Sequence, residues 1–456
     1  MFAITGLIGS GKSLVSSFIR EAGFEVLDAD ALAHTLYSEN AELRKKITEA
    51  FGTEALTESG INRPYISQIV FSDPQKLQLL ESLVYPILQN EIEKIKPPFI
   101  EAAVLHKIPE LAKKMEEIWV IEANETARRE RISQRGLSTI EINNIMRTQT
   151  YCSGKPLRET TIQNNETPND LKIKITQLLK KHIPKVIEKN ISLKKHCSFK
   201  IGGNANFFAE PKNEEELCSL LAWRKKFKIP YFVLGHGSNV LFSDEGYGGL
   251  VIKLGKWGAG KSLHSLIQEA ANQGLGGIEK LQGIPGTIGG AIYMNAGAHK
   301  QEISDCIKTV SSITPNGEII TRTKEQCEFS YRSSIFKGMG EIIVSAEFDF
   351  VPMQKESIDK NRKEVLTWRK EKQPLQYPNA GSVFKNPISQ SAGALIEACG
   401  LKGHRIGDAE LSELHANFIV NKGNATAKDV KTLMEKIVME VEKKHGVVLE
   451  PEIMVF

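Results

Sequence analysis

The run Gly6-Leu7-Ile8-Gly9-Ser10-Gly11-Lys12-Ser13 fits the pattern G-x-x-x-x-G-K-[ST] and directly follows the apolar stretch MFAIT. A loop of this kind works only where a buried strand ends and a helix begins, because its glycines let successive backbone N–H groups converge on phosphate oxygens. The surrounding residues meet that condition. Leu14, Val15, Phe18 and Ile19 fall on one helical face, Gly23 can end the helix, and EVLDAD reads as a second strand. A strand, loop, helix and strand in this order predict a parallel α/β sheet. Gly9, Ser10, Gly11, Lys12, Ser13 and Leu14 therefore form a candidate nucleotide-binding segment. Lys12 would reach the β/γ-phosphates and Ser13 would ligate Mg²⁺. The competing reading is a turn that only looks like a phosphate loop.

Two features downstream bear on the same chemistry. Asp30 closes the second strand, where a carboxylate can accept a proton from an attacking hydroxyl. It also precedes the helical-looking ALAHTLY, so an N-cap role is equally compatible with its position. Arg128, Arg131 and Arg135 lie at i, i+3 and i+7 and share one helical face, with Arg147 further on. Phosphoryl transfer needs such a cationic face, although a solvated charged stripe has the same spacing. Between these features, residues 40–98 read as mostly helical, EIWVIE as a strand and 124–150 as helix. Residues 152–170 read as polar and irregular, and DLKIKITQLLKKHI as a closing helix.

The texture changes near residue 185. Glycines become dense, and short β-rich runs such as YFVLG, GLVIKL, AIYMNA and EIIVSAEFDF alternate with turns. This predicts an α+β part after the α/β part, with boundaries at 1–185, 186–365 and 366–456. The last segment would hold a small separate substrate domain and a returning C-terminal strand. At 456 residues the chain has material for more than one core. A net charge of +4 without a basic run argues against nucleic acid as a partner. Six dispersed cysteines without a CxxC pair read as free thiols of a reducing compartment. The start MFAITGLIGSGKS lacks a signal-peptide pattern, and no run of about 18 apolar residues predicts a membrane span. A cytoplasmic location is expected.

Two glycine clusters stand out in the second part. One is Gly235-His236-Gly237-Ser238-Asn239. The other is Gly283-Ile284-Pro285-Gly286-Thr287-Ile288-Gly289-Gly290. Each can present adjacent N–H groups to a diphosphate, and each can equally be a pair of turns. Gly255 to Ser262 formally repeats the G-x-x-x-x-G-K-S pattern.

The first part resembles dephospho-coenzyme A kinase along about 1–183, through GLIGSGKS, EVLDADALA, RRERISQR, MRTQ and TTIQNN. The resemblance implies phosphorylation of the dephospho-CoA ribose 3′-hydroxyl with ATP and Mg²⁺. It makes Asp30 the base and gives Arg135 and Arg147 phosphate contacts. One family segment, Asp-x-Pro-Leu-Leu-x-Glu, stands here as Glu101-Ala102-Ala103-Val104-Leu105-His106-Lys107. The alternative is accordingly a degenerate nucleotide-binding module.

The second part carries HCSFKIGGNA, VLGHGSNVLFSD, GIPGTIGGAIYMNAGA, FSYRSSIFK, PNAGSVFKNP, LKGHRIGDAELSELHANFIVN and LEPEI in that order. Together these motifs resemble the UDP-N-acetylenolpyruvoylglucosamine reductases over 186–456. The resemblance implies that NADPH reduces FAD, which then passes a hydride to the enolpyruvyl ether of the UDP-sugar, giving UDP-N-acetylmuramate. By motif matching, Arg332 is the cation, Ser382 the proton donor and Glu452 the third member of the catalytic set. Gly235, Gly237, Ser238, Asn239, Gly283, Pro285, Gly286, Thr287, Gly289 and Gly290 are the cofactor-binding candidates. The resemblance also implies a strand at GAG followed by a helix, so the formal G-x-x-x-x-G-K-S repeat at Gly255 to Ser262 reads as a coincidence. Two departures are visible. The LGKWGAGKSL stretch at 254–263 is shorter than the family's, and Met454 stands where an arginine is common.

Overall fold

A computed structural model describes residues 1–58, 60–134, 136, 142, 143, 146, 158–388 and 390–456. The chain divides into two compact units, Met1–Ile183 with Lys226–Lys228, and Pro184–Lys225 with Ile229–Phe456.

The first unit is built on a five-stranded, all-parallel sheet. Its strands run in the order Val26–Asp28, Phe99–Glu101, Phe2–Gly6, Glu117–Glu122, Glu159–Gln163. The central strand is the one that feeds the phosphate loop. Its side chains Ala3 and Ile4 are fully buried, as a strand covered on both faces requires. Helix Lys12–Glu21 follows, and Ala29–Glu39, Ala41–Phe51 and Pro74–Ile95 pack their apolar stripes (Leu36, Leu43, Ile47, Leu88, Ile92) into one core. Strand Glu159–Gln163 corrects the reading of 152–170 as irregular. In ETTIQ only Ile162 is buried, so an edge strand with polar alternation carried almost no hydrophobic signal.

The second unit is built around three larger sheets. A four-stranded sheet runs Tyr231–Leu234, Tyr247–Lys253, Asn204–Ala209, Ile187–Ser192, parallel except at its last pair. A three-stranded antiparallel sheet is centred on Ile307–Ile313. A four-stranded antiparallel sheet, Asn379–Ser382, Phe418–Asn421, Ala409–Leu411, Arg405–Ile406, packs against helices Ala392–Ala398 and Ala427–His445. One core joins Phe199, Phe208 and Phe242 to Phe384, Ile419, Val430 and Ile453. Residues on both sides of position 365 thus share it. The AIYMNA run, read as β-rich, instead begins inside helix Ile288–Tyr293. Thr287 caps that helix by accepting a hydrogen bond from Gly290 N at 3.1 Å, and this local cap outweighs the β-propensity of Ile and Tyr. The GAG segment at Gly258–Gly260 is a single 3₁₀ turn rather than a strand. Among the described residues, no helix is long and apolar enough to cross a membrane.

The chain's end returns to the glycine loop. Met454–Val455 pairs in parallel with Val240–Leu241, and Phe456 packs its ring on Phe232 and Phe242 at 4.6 and 5.2 Å. That anchor fixes where Glu452 points.

Candidate functional sites

In the second unit a cavity of about 650 Å³ opens between the two glycine clusters. Its wall includes Gly235, Gly237, Ser238, Asn239, Pro285, Gly286, Thr287, Gly289 and Gly290, together with Arg332, Ser382, Glu452 and Met454. Gly283 is outside the wall; it lies instead against the Arg369 side chain. The two loops are tied together by Ser238 Oγ, which donates to Pro285 O at 2.7 Å. Gly237 is required at its position. Its φ is +66°, and a Cβ there would sit 2.3 Å from His196 O. Asn239 joins the loop to the returning strand. Its side chain donates to Glu452 O at 3.1 Å, and its carbonyl accepts from Met454 N at 2.9 Å.

Arg332 and Glu452 meet directly. Arg332 Nε donates to Glu452 Oε1 at 2.7 Å and Arg332 Nη2 donates to Gly297 O at 3.0 Å. The arginine sits in a tight turn around which Ser330 and Ser333 exchange backbone hydrogen bonds of 3.1 Å. This turn holds it at φ +55°, a left-handed conformation that costs an L-residue roughly 1–2 kcal/mol. Burial pushes the Glu452 carboxyl above its usual range, against the pull of Arg332, Lys337 and Lys385. Ser382 ends strand Asn379–Ser382, in register with Phe418, and faces the same cavity. The glycine edge is stapled to this strand by Ser198, whose Oγ donates to Asn379 O at 2.6 Å while its N donates to Gly237 O at 2.9 Å.

Sequence reasoning missed Lys337 in the cavity wall and the buried Asn295 outside it. Lys337 donates to Arg332 O at 2.6 Å, and its ammonium is pulled down by burial and then by Lys385. Asn295, 1% exposed, donates to Glu302 Oε2 at 2.7 Å and Ser330 O at 3.0 Å, clamping the Arg332 turn. Asn386, which the sequence also offered as a support for substrate phosphates or the serine, lies outside the wall and accepts at its side-chain oxygen from Ala392 N at 3.0 Å. The short 254–263 stretch still closes the wall. Trp257 Nε1 donates to Pro211 O at 2.7 Å, and Leu254, Ala259 and Leu263 line the cavity. Ser262 there caps helix Leu263–Asn272 through Ser265 N at 3.0 Å, the ordinary job of a serine before a helix.

Three family models match the chain: "Dephospho-CoA kinase" over 1–170, "FAD binding domain" over 205–323, and "UDP-N-acetylenolpyruvoylglucosamine reductase, C-terminal domain" over 373–456. A UDP-N-acetylenolpyruvoylglucosamine reductase of Lachnoclostridium phytofermentans is 42% identical over 281 residues, 58% of this chain and 91% of that relative. The chain belongs to the UDP-N-acetylenolpyruvoylglucosamine reductase family. A relative of the same description from Caldanaerobacter subterraneus subsp. tengcongensis is 44% identical over 276 residues, covering 58% of this chain and 91% of its own. The solved reductase of Thermus caldophilus is 38% identical and superposes with a TM-score of 0.53, covering 59% of this chain and 98% of that one.

The reductase cavity fits a flavin dinucleotide. It offers two glycine-edged loops held edge to edge, and it has a buried guanidinium, Arg369, whose Nε lacks a partner among the described residues. In the first unit, helix Lys12–Glu21 starts at Gly11 without a side-chain cap, leaving its first N–H groups for an anion. Gly11 has φ +101°, and a Cβ on it would sit 2.2 Å from Asn164 Nδ2. Lys12 Nζ donates to Gly6 O and Leu7 O at 3.0 and 3.2 Å. Ser13 Oγ donates to Glu101 Oε1 at 2.8 Å. Leu14 lies in the first helical turn. The loop's carbonyls are held by Arg128 Nε on Ile8 O at 2.9 Å, Arg131 Nη1 on Gly9 O at 3.3 Å and Asn164 Nδ2 on Ser10 O at 2.7 Å. The helix cap beside them is Asp28, whose Oδ1 accepts from Asp30 N and Ala31 N, so the capping alternative for Asp30 falls away. Burial raises the Asp30 carboxyl, Asp28 and Glu101 add to that, and Lys12 and His34 oppose it. Arg135 and Arg147 lie outside the described residues.

Proposed function

We propose that the chain carries two activities. One is NADPH-dependent reduction of UDP-N-acetylenolpyruvoylglucosamine to UDP-N-acetylmuramate. The other is Mg²⁺- and ATP-dependent phosphorylation of the dephospho-CoA 3′-hydroxyl. The reductase reading rests on one observation: Arg332, Ser382 and Glu452, distant in sequence, border the same cavity as both glycine loops.

The loops 235–239 and 285–290 would hold FAD, whose chemistry there would be hydride transfer from NADPH to the enolpyruvyl carbon. The protein's own groups then have a defined task. Arg332 holds the substrate carboxylate and the negative charge that builds beside it. Glu452, through its bond to Nε, keeps the guanidinium turned toward that charge. Ser382 gives its hydroxyl proton to the neighbouring carbon, a demanding step for so weak an acid, which the cationic pair of Arg332 and Lys337 eases. In the kinase half Lys12 and the helix N-terminus take the transferred phosphate, Ser13 takes the metal, and Asp30 takes the acceptor hydroxyl's proton.

Full-length protein tests both halves. Its yellow absorption should bleach with NADPH and recover when the UDP-enolpyruvyl sugar is added. The same preparation should convert dephospho-CoA to CoA with ATP. Bleaching without recovery would sink the substrate assignment. Reductase activity with no CoA formed would leave the first unit a nucleotide-binding module.

A further inference from the structure

The helix Lys355–Lys372 joins the two matched reductase segments and belongs to neither. Its buried face is Ile358, Val365 and Arg369, an apolar stripe that ends in an arginine only 8% exposed. Arg369 Nη1 donates to Gln373 Oε1 at 3.1 Å, and among the described residues Nε has no partner. Among the described residues no carboxylate pairs with it, and burial alone draws its affinity for a proton below the usual arginine range. The nearest imidazole does not cancel it: burial, then Arg369 and Lys280, hold His299 below its usual range. The acid in this region, Glu279, is already engaged by Gly277 N at 2.7 Å and Asn361 Nδ2 at 3.2 Å.

A lone buried cation is costly, and proteins keep one where an anion arrives from outside. The guanidinium's surroundings face the cavity. Arg369, Gln373, Trp368 and His299 all belong to its wall. His299 and Lys300 form a turn at φ +51° and +62°, and this strained turn sets the His299 ring edge-on to Trp368 at 5.0 Å. Behind the arginine, Gly283 leaves room for its stem; a Cβ there would lie 2.9 Å from Arg369 Cδ.

We propose that Arg369 is the counter-charge that the reductase half supplies to bound FAD. The inference rests on the flavin reading above. FAD offers negative charge from two places. The diphosphate is charged in both redox states, whereas the ring system gains one charge only when a hydride adds to it. Both meet the guanidinium by the same chemistry, and they separate in experiment.

The test uses full-length wild type, Arg369→Met and Arg369→Lys. It reads the dissociation constant of oxidised FAD by quenching of flavin fluorescence, the midpoint potential of the bound flavin, and the melting temperature without FAD. If the diphosphate is the partner, Arg369→Met weakens FAD at least tenfold in both redox states and leaves the potential unchanged. If the ring is the partner, the reduced form is weakened selectively, and each tenfold loss lowers the potential by about 30 mV. Either result supports the proposal, and Arg369→Lys, which keeps the charge, should recover most of the loss. The FAD-free Met variant should melt no lower than wild type, because a cation without an acid partner has been replaced by an apolar chain. FAD affinity and potential within twofold of wild type would overturn the proposal. So would normal FAD binding with a raised KM for NADPH or the UDP-sugar, or a lower FAD-free melting temperature with unaltered FAD affinity. Failure of the wild type itself to take up FAD would defeat the flavin reading and not this assignment alone.

Discussion

Glu452→Gln separates the charge of the Arg332–Glu452 pair from its shape. Glutamine keeps an acceptor for Arg332 Nε at the 2.7 Å position and removes the negative charge. Because Arg332 stays charged, the bond to glutamine remains charge-assisted, and of the roughly 1.5–3 kcal/mol such a bond contributes about 1 kcal/mol goes with the carboxylate's charge. Against this stands the relief of a buried carboxylate: the two side chains are only 16% and 19% exposed, and burial outweighs the arginine in setting the Glu452 pKa. The two effects oppose and are of similar size, so the stability change at neutral pH should stay within about 1 kcal/mol. The pH dependence follows from the sign of the shift. Glu452 binds its proton more tightly folded than unfolded, so the stability it contributes is complete below its ordinary value of 4.5 and is lost as pH rises through the raised folded value. Glutamine has no such proton, and the variant should lose less stability than wild type over that interval. Catalysis has no matching relief. A guanidinium no longer held by an opposite charge misplaces the group that meets the developing anion, and kcat should fall about 10²–10³-fold. Denaturant unfolding gives the first quantity, and NADPH consumption with FAD-loaded protein gives the second. A kcat within fivefold of wild type would refute the positioning role. A stability loss above roughly 3 kcal/mol would mark the pair as structural instead.

Four further outcomes are expected. Lys12→Met should cut CoA formation roughly 10²–10³-fold while the flavin spectrum and NADPH-dependent turnover stay as in wild type; a parallel loss of both would contradict the separation of the two sites. Asp30→Asn should lower phosphoryl transfer about 10²–10⁴-fold, and the wild-type rate should fall with acid at a pH above the ordinary Asp value of 3.8, because Asp30 must be ionised to act and burial raises it. Gly237→Ala, with its Cβ 2.3 Å from His196 O at φ +66°, should destabilise the reductase half by about 1–3 kcal/mol and release FAD; retention of FAD at wild-type affinity would argue against the loop's role. The buried Cys306 and Cys327 thiols are each pushed up to about 11, chiefly by burial, so mass spectrometry after brief alkylation should find the half-buried Cys218 and Cys399 labelled before either of them.

What the sequence made legible was whatever a local rule enforces. The phosphate loop needs a strand before it and a helix after it, and both could be read directly from MFAIT and the Leu14, Val15, Ile19 spacing. The edge strand Glu159–Gln163 obeyed no such rule, since four of its five side chains stay out of the core. Within the cavity, Arg332, Ser382 and Glu452 were recoverable only through the order of whole motifs. Nothing local distinguishes a serine after a glycine, or a glutamate near a chain end, from a solvated one. Lys337 and Asn295 were passed over because lysine and asparagine usually face water. Arg369 had one signal that was available: it continues the apolar spacing of Ile358 and Val365 on a helix whose other faces are charged.

The departures from ordinary backbone geometry show why the turns beside the cavity form one device. Asn295, His299, Lys300 and Arg332 all hold φ between +43° and +62°, a region that favours glycine, yet none is glycine. Three of the four need their side chains: Asn295 to grip Glu302 and Ser330, His299 to meet Trp368, Arg332 to meet Glu452. Gly297, between the first two, supplies the carbonyl that receives Arg332 Nη2. Strain spread over these linked turns is affordable only because the core beneath them, with Ile292, Ile303 and Phe336 buried, over-determines their path. The consequence is a guanidinium fixed in direction before any substrate arrives, so little reorganisation remains to be done when negative charge develops beside it.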